Sequence, residues 1–112
     1  MDFEAAAARW LENNGLYILA RNFRSRAGEL DIIALDGDCL VFVEVRSRRH
    51  TRYGGAAGSV DAGKRRRLVR TAQAFLQRHT RWAQSPCRFD VLAYESSRPA
   101  SAPRWIRGAF SA

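Results

Sequence analysis

Two strongly apolar stretches carry acid where a buried strand should carry none. The first, Gly28 to Leu35, holds Glu29 and Asp31; the second, Cys39 to Arg46, holds Glu44 and Arg46. Asp36-Gly37-Asp38 between them is a tight-turn signal, so the two read as a β-hairpin. In a hairpin the early residues of one strand lie beside the late residues of the other, which brings the acids to one end. Side chains alternate with period two, so register decides whether they share a face. A two-residue loop at Asp36-Gly37 puts Asp31 opposite Phe42, with Glu44 diagonal on the same face. A four-residue loop puts Asp31 directly opposite Glu44, and a three-residue loop separates them. The favoured two-residue loop brings Asp31, Glu44 and Arg46 together. Carboxylates that close repel each other and lose hydration unless a cation lies between them. A divalent ion such as Mg2+, taking carboxylate and water ligands, suits that place. The competing reading is a structural ion pair of Glu44 with Arg46 or another arginine; Asp31 on the same face weighs against it.

The elements that must position these residues can be read in order. Asp2 is a plausible N-cap. Phe3, Ala7, Trp10 and Leu11 follow at helical spacing, and Asn13-Asn14-Gly15 closes the helix. Glu4 lies one residue off the apolar stripe, where a first-turn glutamate also suits the helix dipole. Leu16 to Phe23 reads as a strand, and Arg24-Ser25-Arg26-Ala27 as a polar break; Arg21, Arg24 and Arg26 could touch phosphate or simply face solvent. Leu40 to Val45 is apolar on both faces except at Glu44, the pattern of a central covered strand. Ser47 to Ser59 reads as a loop. Its Arg48, Arg49, His50, Arg52 and Tyr53, followed by Gly54-Gly55, suit a DNA-contacting flap. Asp61 caps a second helix, about Ala62 to His79, whose first turns carry Lys64, Arg65, Arg66 and Arg67. Positive charge at the positive end of a helix dipole is costly unless anions are near, and phosphate is the obvious anion. Cys87 to Tyr94 is a strand expected to run parallel to Val41–Val45 by a crossover through that helix. Its Asp90 is expected to pair with Arg88 or another arginine. Trp105-Ile106 reads as a short edge strand after a Pro- and Ser-containing linker.

The 112 residues suit one domain, and 46% hydrophobic content can build a small core. The net charge of +8, with 19 Lys+Arg of which Lys64 is the sole lysine, points to an anionic partner such as nucleic acid. No apolar run is long enough to span a membrane. The N-terminus lacks a signal-peptide layout, so a cytoplasmic location is expected. Cys39 and Cys87 fall in strands and read as free, buried thiols.

Gly28-Glu29-Leu30-Asp31, Val41-Phe42-Val43-Glu44-Val45-Arg46, Tyr53-Gly54-Gly55-Ala56 and Cys87-Arg88-Phe89-Asp90-Val91, in that order, resemble the YraN family of bacterial proteins. That family is similar to the archaeal Holliday-junction resolvases and is placed in the PD-(D/E)XK nuclease superfamily. The resemblance implies a restriction-endonuclease-like αβββαβ core, with a mixed central sheet flanked by helices; the strand near Trp105 would be an extra C-terminal edge. It implies Asp31 and Glu44 as the two signature acids, Arg46 at the basic position and Glu4 as an acid supplied by the first helix. The activity implied is Mg2+- or Mn2+-dependent hydrolysis of DNA, branched DNA included, with a homodimer expected because a resolvase cuts two strands. Arginine cannot act as a general base, since it stays protonated, but it can stabilise transition-state charge. A nucleic-acid-binding module with a degenerate, non-catalytic site is therefore the alternative.

Overall fold

The computed structural model describes residues 2–47 and 60–112. In chain order the elements are α1 (Phe3–Asn13), β1 (Tyr17–Ser25), β2 (Gly28–Asp36), β3 (Cys39–Ser47), α2 (Ala62–Arg78), a 3-10 turn at Thr80–Trp82, β4 (Cys87–Tyr94) and β5 (Arg104–Phe110). The strands form one mixed sheet in the order β1-β2-β3-β4-β5. Neighbours are antiparallel except β3 and β4, which run parallel through the α2 crossover, as the sequence implies.

β3 is central because both of its faces are apolar. Leu40 and Phe42 pack with Leu68, Ala72 and Phe75 of α2 on one side. Val41, Val43 and Val45 pack with Ala7, Ala8 and Leu11 of α1 on the other. Period-two alternation thus builds a helix–sheet–helix sandwich, and Glu44 falls on the α2 side with Phe42. Both helices start at side-chain caps: Ala5 N donates to Asp2 Oδ1 at 2.7 Å, and Lys64 N donates to Asp61 Oδ1 at 2.9 Å. Among the described residues no helix is long and apolar enough to cross a membrane.

The hairpin register differs from the favoured expectation. Asp36 pairs with Cys39 and Ile32 with Val43, so the two-residue loop is Gly37-Asp38 rather than Asp36-Gly37. The reason is local. Gly37 has φ +61°, and the first position of a primed two-residue turn demands a positive φ that glycine alone adopts freely. Moving the loop by one residue changes the pairing by two, which keeps the faces and brings Asp31 opposite Glu44. β1 also runs past its expected end. Arg24 and Ser25 pair with Glu29 and Gly28, leaving only Arg26 and Ala27 for the turn. Ser47, read as loop, is a buried strand residue. The cysteines are free, but only Cys39 is partly buried, and Cys87 is exposed at the start of β4.

Asp90 is fully buried and its role is structural. Its carboxylate accepts from Arg88 Nε at 3.0 and 3.1 Å, Trp105 Nε1 at 2.8 Å and Gly108 N at 2.9 Å. It thereby fastens β5 where the β4–β5 ladder is irregular, between Phe89 and Val91. Removing it leaves Arg88, half-buried, with only Asp36 as a carboxylate partner at 2.8 Å and deprives two N–H donors of their acceptor. Asp90→Ala should lose roughly 3–5 kcal/mol of stability, the usual result of breaking one side of a buried charged network. Urea unfolding followed by tryptophan fluorescence measures this, because Trp105 is one of the donors.

Candidate functional site

Chain direction decides what meets at the end of the sheet where β3 finishes. β2 is antiparallel to β3, so β2 begins there. α2 must run back along β3 to reach the start of β4, so its first turn lies there. α1 is joined to β1 by a short turn and runs opposite to it, which brings its first turn to the same end. Two helix N-termini, the start of β2 and the end of β3 therefore converge on Glu4, Glu29, Asp31, Glu44 and Lys64.

Asp31 is the pivot. It is 7% exposed, and its Oδ2 accepts from Val45 N at 2.8 Å, holding β2 to β3 where their backbone ladder has ended. Its carboxyl meets those of Glu44 and Glu4. Burial, then the hydrogen bond and charge of Glu44, push Asp31 up to about 8. Burial and the charge of Asp31 push Glu4 up to about 7. Glu44 is 4% exposed, and its buried Oε2 has no hydrogen-bond partner among the described residues. Lys64 Nζ lies 3.3 Å from that oxygen, an ion-pair distance without hydrogen-bond geometry.

One carboxylate oxygen each from Glu4, Glu29 and Asp31 lie within 4.8 Å of one another, so these three could hold one cation. Beside them is a cleft of about 220 Å3, lined by Gly28, Glu29, Asp31, Glu44, Lys64, Arg67 and Leu68. Gly28 keeps this wall thin. Its φ is +148°, and a Cβ there would stand 3.3 Å from Thr71 Oγ1 on α2.

The structure brings Asp31, Glu44 and Glu4 together, as the sequence reading expects. Arg46 follows Glu44 on the same face of β3, half-buried, but does not line the cleft. The basic turn of α2 divides by direction. Lys64 enters the acidic site rather than facing outward. Arg65 donates from Nε to Val60 O at 3.1 Å and lies over the Phe110 ring. Arg66 and Arg67 are exposed, with Arg67 on the lip of the cleft. Arg24 is paired with Glu29 at 2.8 Å. The flap residues Arg48, Arg49, His50, Arg52 and Tyr53 lie outside the described residues.

Sequence reasoning missed Glu29 as a site acid and Lys64 as the partner of Glu44. Both carried a signal. Glu29 is two residues before Asp31 and so shares its face. Lys64 is the third residue of a helix that a parallel crossover must start beside the end of β3.

Among the described residues these features define a mixed α/β protein with two α-helices, a five-stranded sheet and an acidic cleft at the point where both helices begin. The chain belongs to the uncharacterised protein family UPF0102, whose model matches residues 3–94. It is 54% identical over 107 residues to a UPF0102 protein of Stutzerimonas stutzeri, covering 96% of this chain and 89% of the relative. It is 54% identical over 109 residues to one of Ectopseudomonas mendocina, covering 97% and 91%. A UPF0102 protein of Pseudomonas aeruginosa is 52% identical over 111 residues, covering 97% and 89%.

The raised acids make stability depend on pH with a defined sign. Asp31 and Glu4 keep their protons in the fold at pH values where the unfolded chain has lost them. Their contribution is complete below the ordinary carboxyl values, 3.8 for Asp31 and 4.5 for Glu4, and is lost as pH rises through about 8 and about 7 respectively. Asp31→Asn keeps an oxygen for Val45 N and removes the charge. The variant should therefore melt ~5 °C or more above wild type at pH 8, a gap that closes towards pH 4, in thermal unfolding followed by far-UV circular dichroism.

Proposed function

We propose that this chain is a metal-dependent endonuclease, a phosphodiester hydrolase acting on DNA through a restriction-endonuclease-like core. The observation that carries the reading is the buried Glu44 Oε2, without a hydrogen-bond donor among the described residues and set beside the protonation-prone Asp31. A purely structural acid would be satisfied by donors, as Asp90 is. The oxygen-only donor set of Glu4, Glu29 and Asp31, with Glu44 against Asp31, fits Mg2+ or Mn2+. Such an ion would polarise a phosphoryl oxygen and lower the pKa of an attacking water.

The remaining work falls to the chain itself. Val45 N fixes the orientation of Asp31, so one ligand position is set before any ion arrives. Arg67, with the positive end of the α2 dipole, offers a phosphate-binding lip beside the carboxylates. Arg65 and Arg66 extend that charge along a neighbouring groove of about 320 Å3, with Arg70 one turn further on. A strand bound along α2 would have its backbone drawn towards the acids. Arg46 stands outside the cleft lining, so its part is limited to charge acting at a distance rather than contact with the reacting phosphate. The second reading, a DNA-binding module without cleavage, is favoured by arginine at that position.

One assay separates them: branched, single-stranded and duplex DNA, with and without Mn2+, using wild type and Glu44→Ala. The nuclease reading expects Mn2+-dependent cleavage that Glu44→Ala lowers at least ~10³-fold, with DNA affinity changed less than about threefold. Salt-sensitive binding with no cleavage by wild type on any substrate selects the binding module.

A further inference from the structure

Eighteen of the nineteen basic residues are arginine, and the side chain of the one lysine reaches the buried Glu44. The two side chains behave differently beside a carboxylate. A guanidinium grips it with a planar two-toothed fork, whereas an ammonium is a compact charge on a flexible four-carbon stem. The contact has the looser character. Lys64 Nζ stands 3.3 Å from Glu44 Oε2, yet that oxygen has no hydrogen-bond partner among the described residues, so charge alone joins them. Glu44 has a side chain only 5% exposed, while that of Lys64 is 30% exposed, so the lysine has solvent-side room that the glutamate lacks. The base of the lysine is anchored, because its backbone N–H is held by the Asp61 cap. Its backbone is therefore fixed while its ammonium, on a flexible stem, has room to move.

Resting on the nuclease reading, we infer that Lys64 is the exchangeable counter-ion of this site. In the metal-free protein it neutralises Glu44; on metal binding it gives up that carboxylate and turns to an oxygen of the bound phosphate. The same buried oxygen cannot serve an ammonium and a divalent ion at once at full strength. Arg67, one helical turn further on and on the same cleft, marks the direction in which a phosphate would lie.

Isothermal titration of Mn2+ into wild type, Lys64→Met and Lys64→Arg, without DNA, tests the exchange. Lys64→Met should bind Mn2+ about tenfold more tightly than wild type, because the competing charge is gone. Lys64→Arg should bind it about threefold more weakly, because the fork holds Glu44 harder. Lys64→Met should also melt lower than wild type without Mn2+ and gain more from it. Should Lys64→Met not fold, Lys64→Gln makes the same comparison. Despite tighter metal, Lys64→Met should cleave DNA about 10²-fold more slowly, and Lys64→Arg should recover part of that loss. Equal or weaker Mn2+ binding by the methionine or glutamine variant overturns the exchange, and undiminished cleavage overturns the phosphate contact. Mn2+ binding by neither protein overturns the exchange and the metal reading together. Tighter binding with no cleavage by wild type leaves the exchange standing and removes the nuclease.

Discussion

Carboxyl groups gathered in a nearly dry corner are the constraint on which the rest depends. Asp31 and Glu44 are 7% and 4% exposed, share one end of the sheet and have Glu4 beside them. Unpaired, such groups cost several kcal/mol each. The fold offsets this with what its topology supplies at that end: two helix N-termini, one backbone N–H and one ammonium. Each is a partial remedy. Val45 N serves Asp31, and Lys64 serves Glu44 by charge without a hydrogen bond. Asp31 keeps its proton up to about pH 8, the cheapest way to live beside a neighbour of like charge.

Two kinds of buried acid occur in this small sheet, and their surroundings tell them apart. Asp90 is as apolar in sequence context as Asp31 and more deeply buried. Every donor around it comes from β4 or β5, and together they saturate both oxygens. Nothing is left over for a ligand. Among the described residues Glu44 keeps an oxygen without a donor, and that residual capacity, rather than burial or charge, sets it apart from Asp90.

How far the sequence could be read follows the same logic. Alternation in β3 told of its central place, because an apolar residue on each face needs cover on each face. The acids Asp31 and Glu44 were legible as a pair because any even slip of the hairpin keeps them on one face. The exact loop was not legible, since Asp36-Gly37 and Gly37-Asp38 differ only in which position the positive φ of Gly37 must fill. Helices α1 and α2 showed through their caps, Asp2 and Asp61. Individual cations were harder. Four successive bases say that some leave the core, but only the direction of the crossover says that Lys64 turns inward to Glu44. The contacts of Asp90 with Trp105 and Gly108 reach 15 and 18 residues along the chain, beyond what local pattern can convey.

The two thiols stand at the opposite pole from the carboxylates. Cys87 begins β4 beside Leu40, and Cys39 begins β3. Four residues of strand separate Leu40 from Glu44, about 13 Å. The thiols thus lie at the far end of the sheet from the cleft formed by Glu29, Asp31 and Glu44. Desolvation, with Cys39 nearby, raises the Cys87 thiol, so this sulfur stays protonated and sluggish towards electrophiles in neutral solution. A thiol-directed label at Cys87 would therefore sit about a strand's length from the acidic cleft and leave its lining unobstructed.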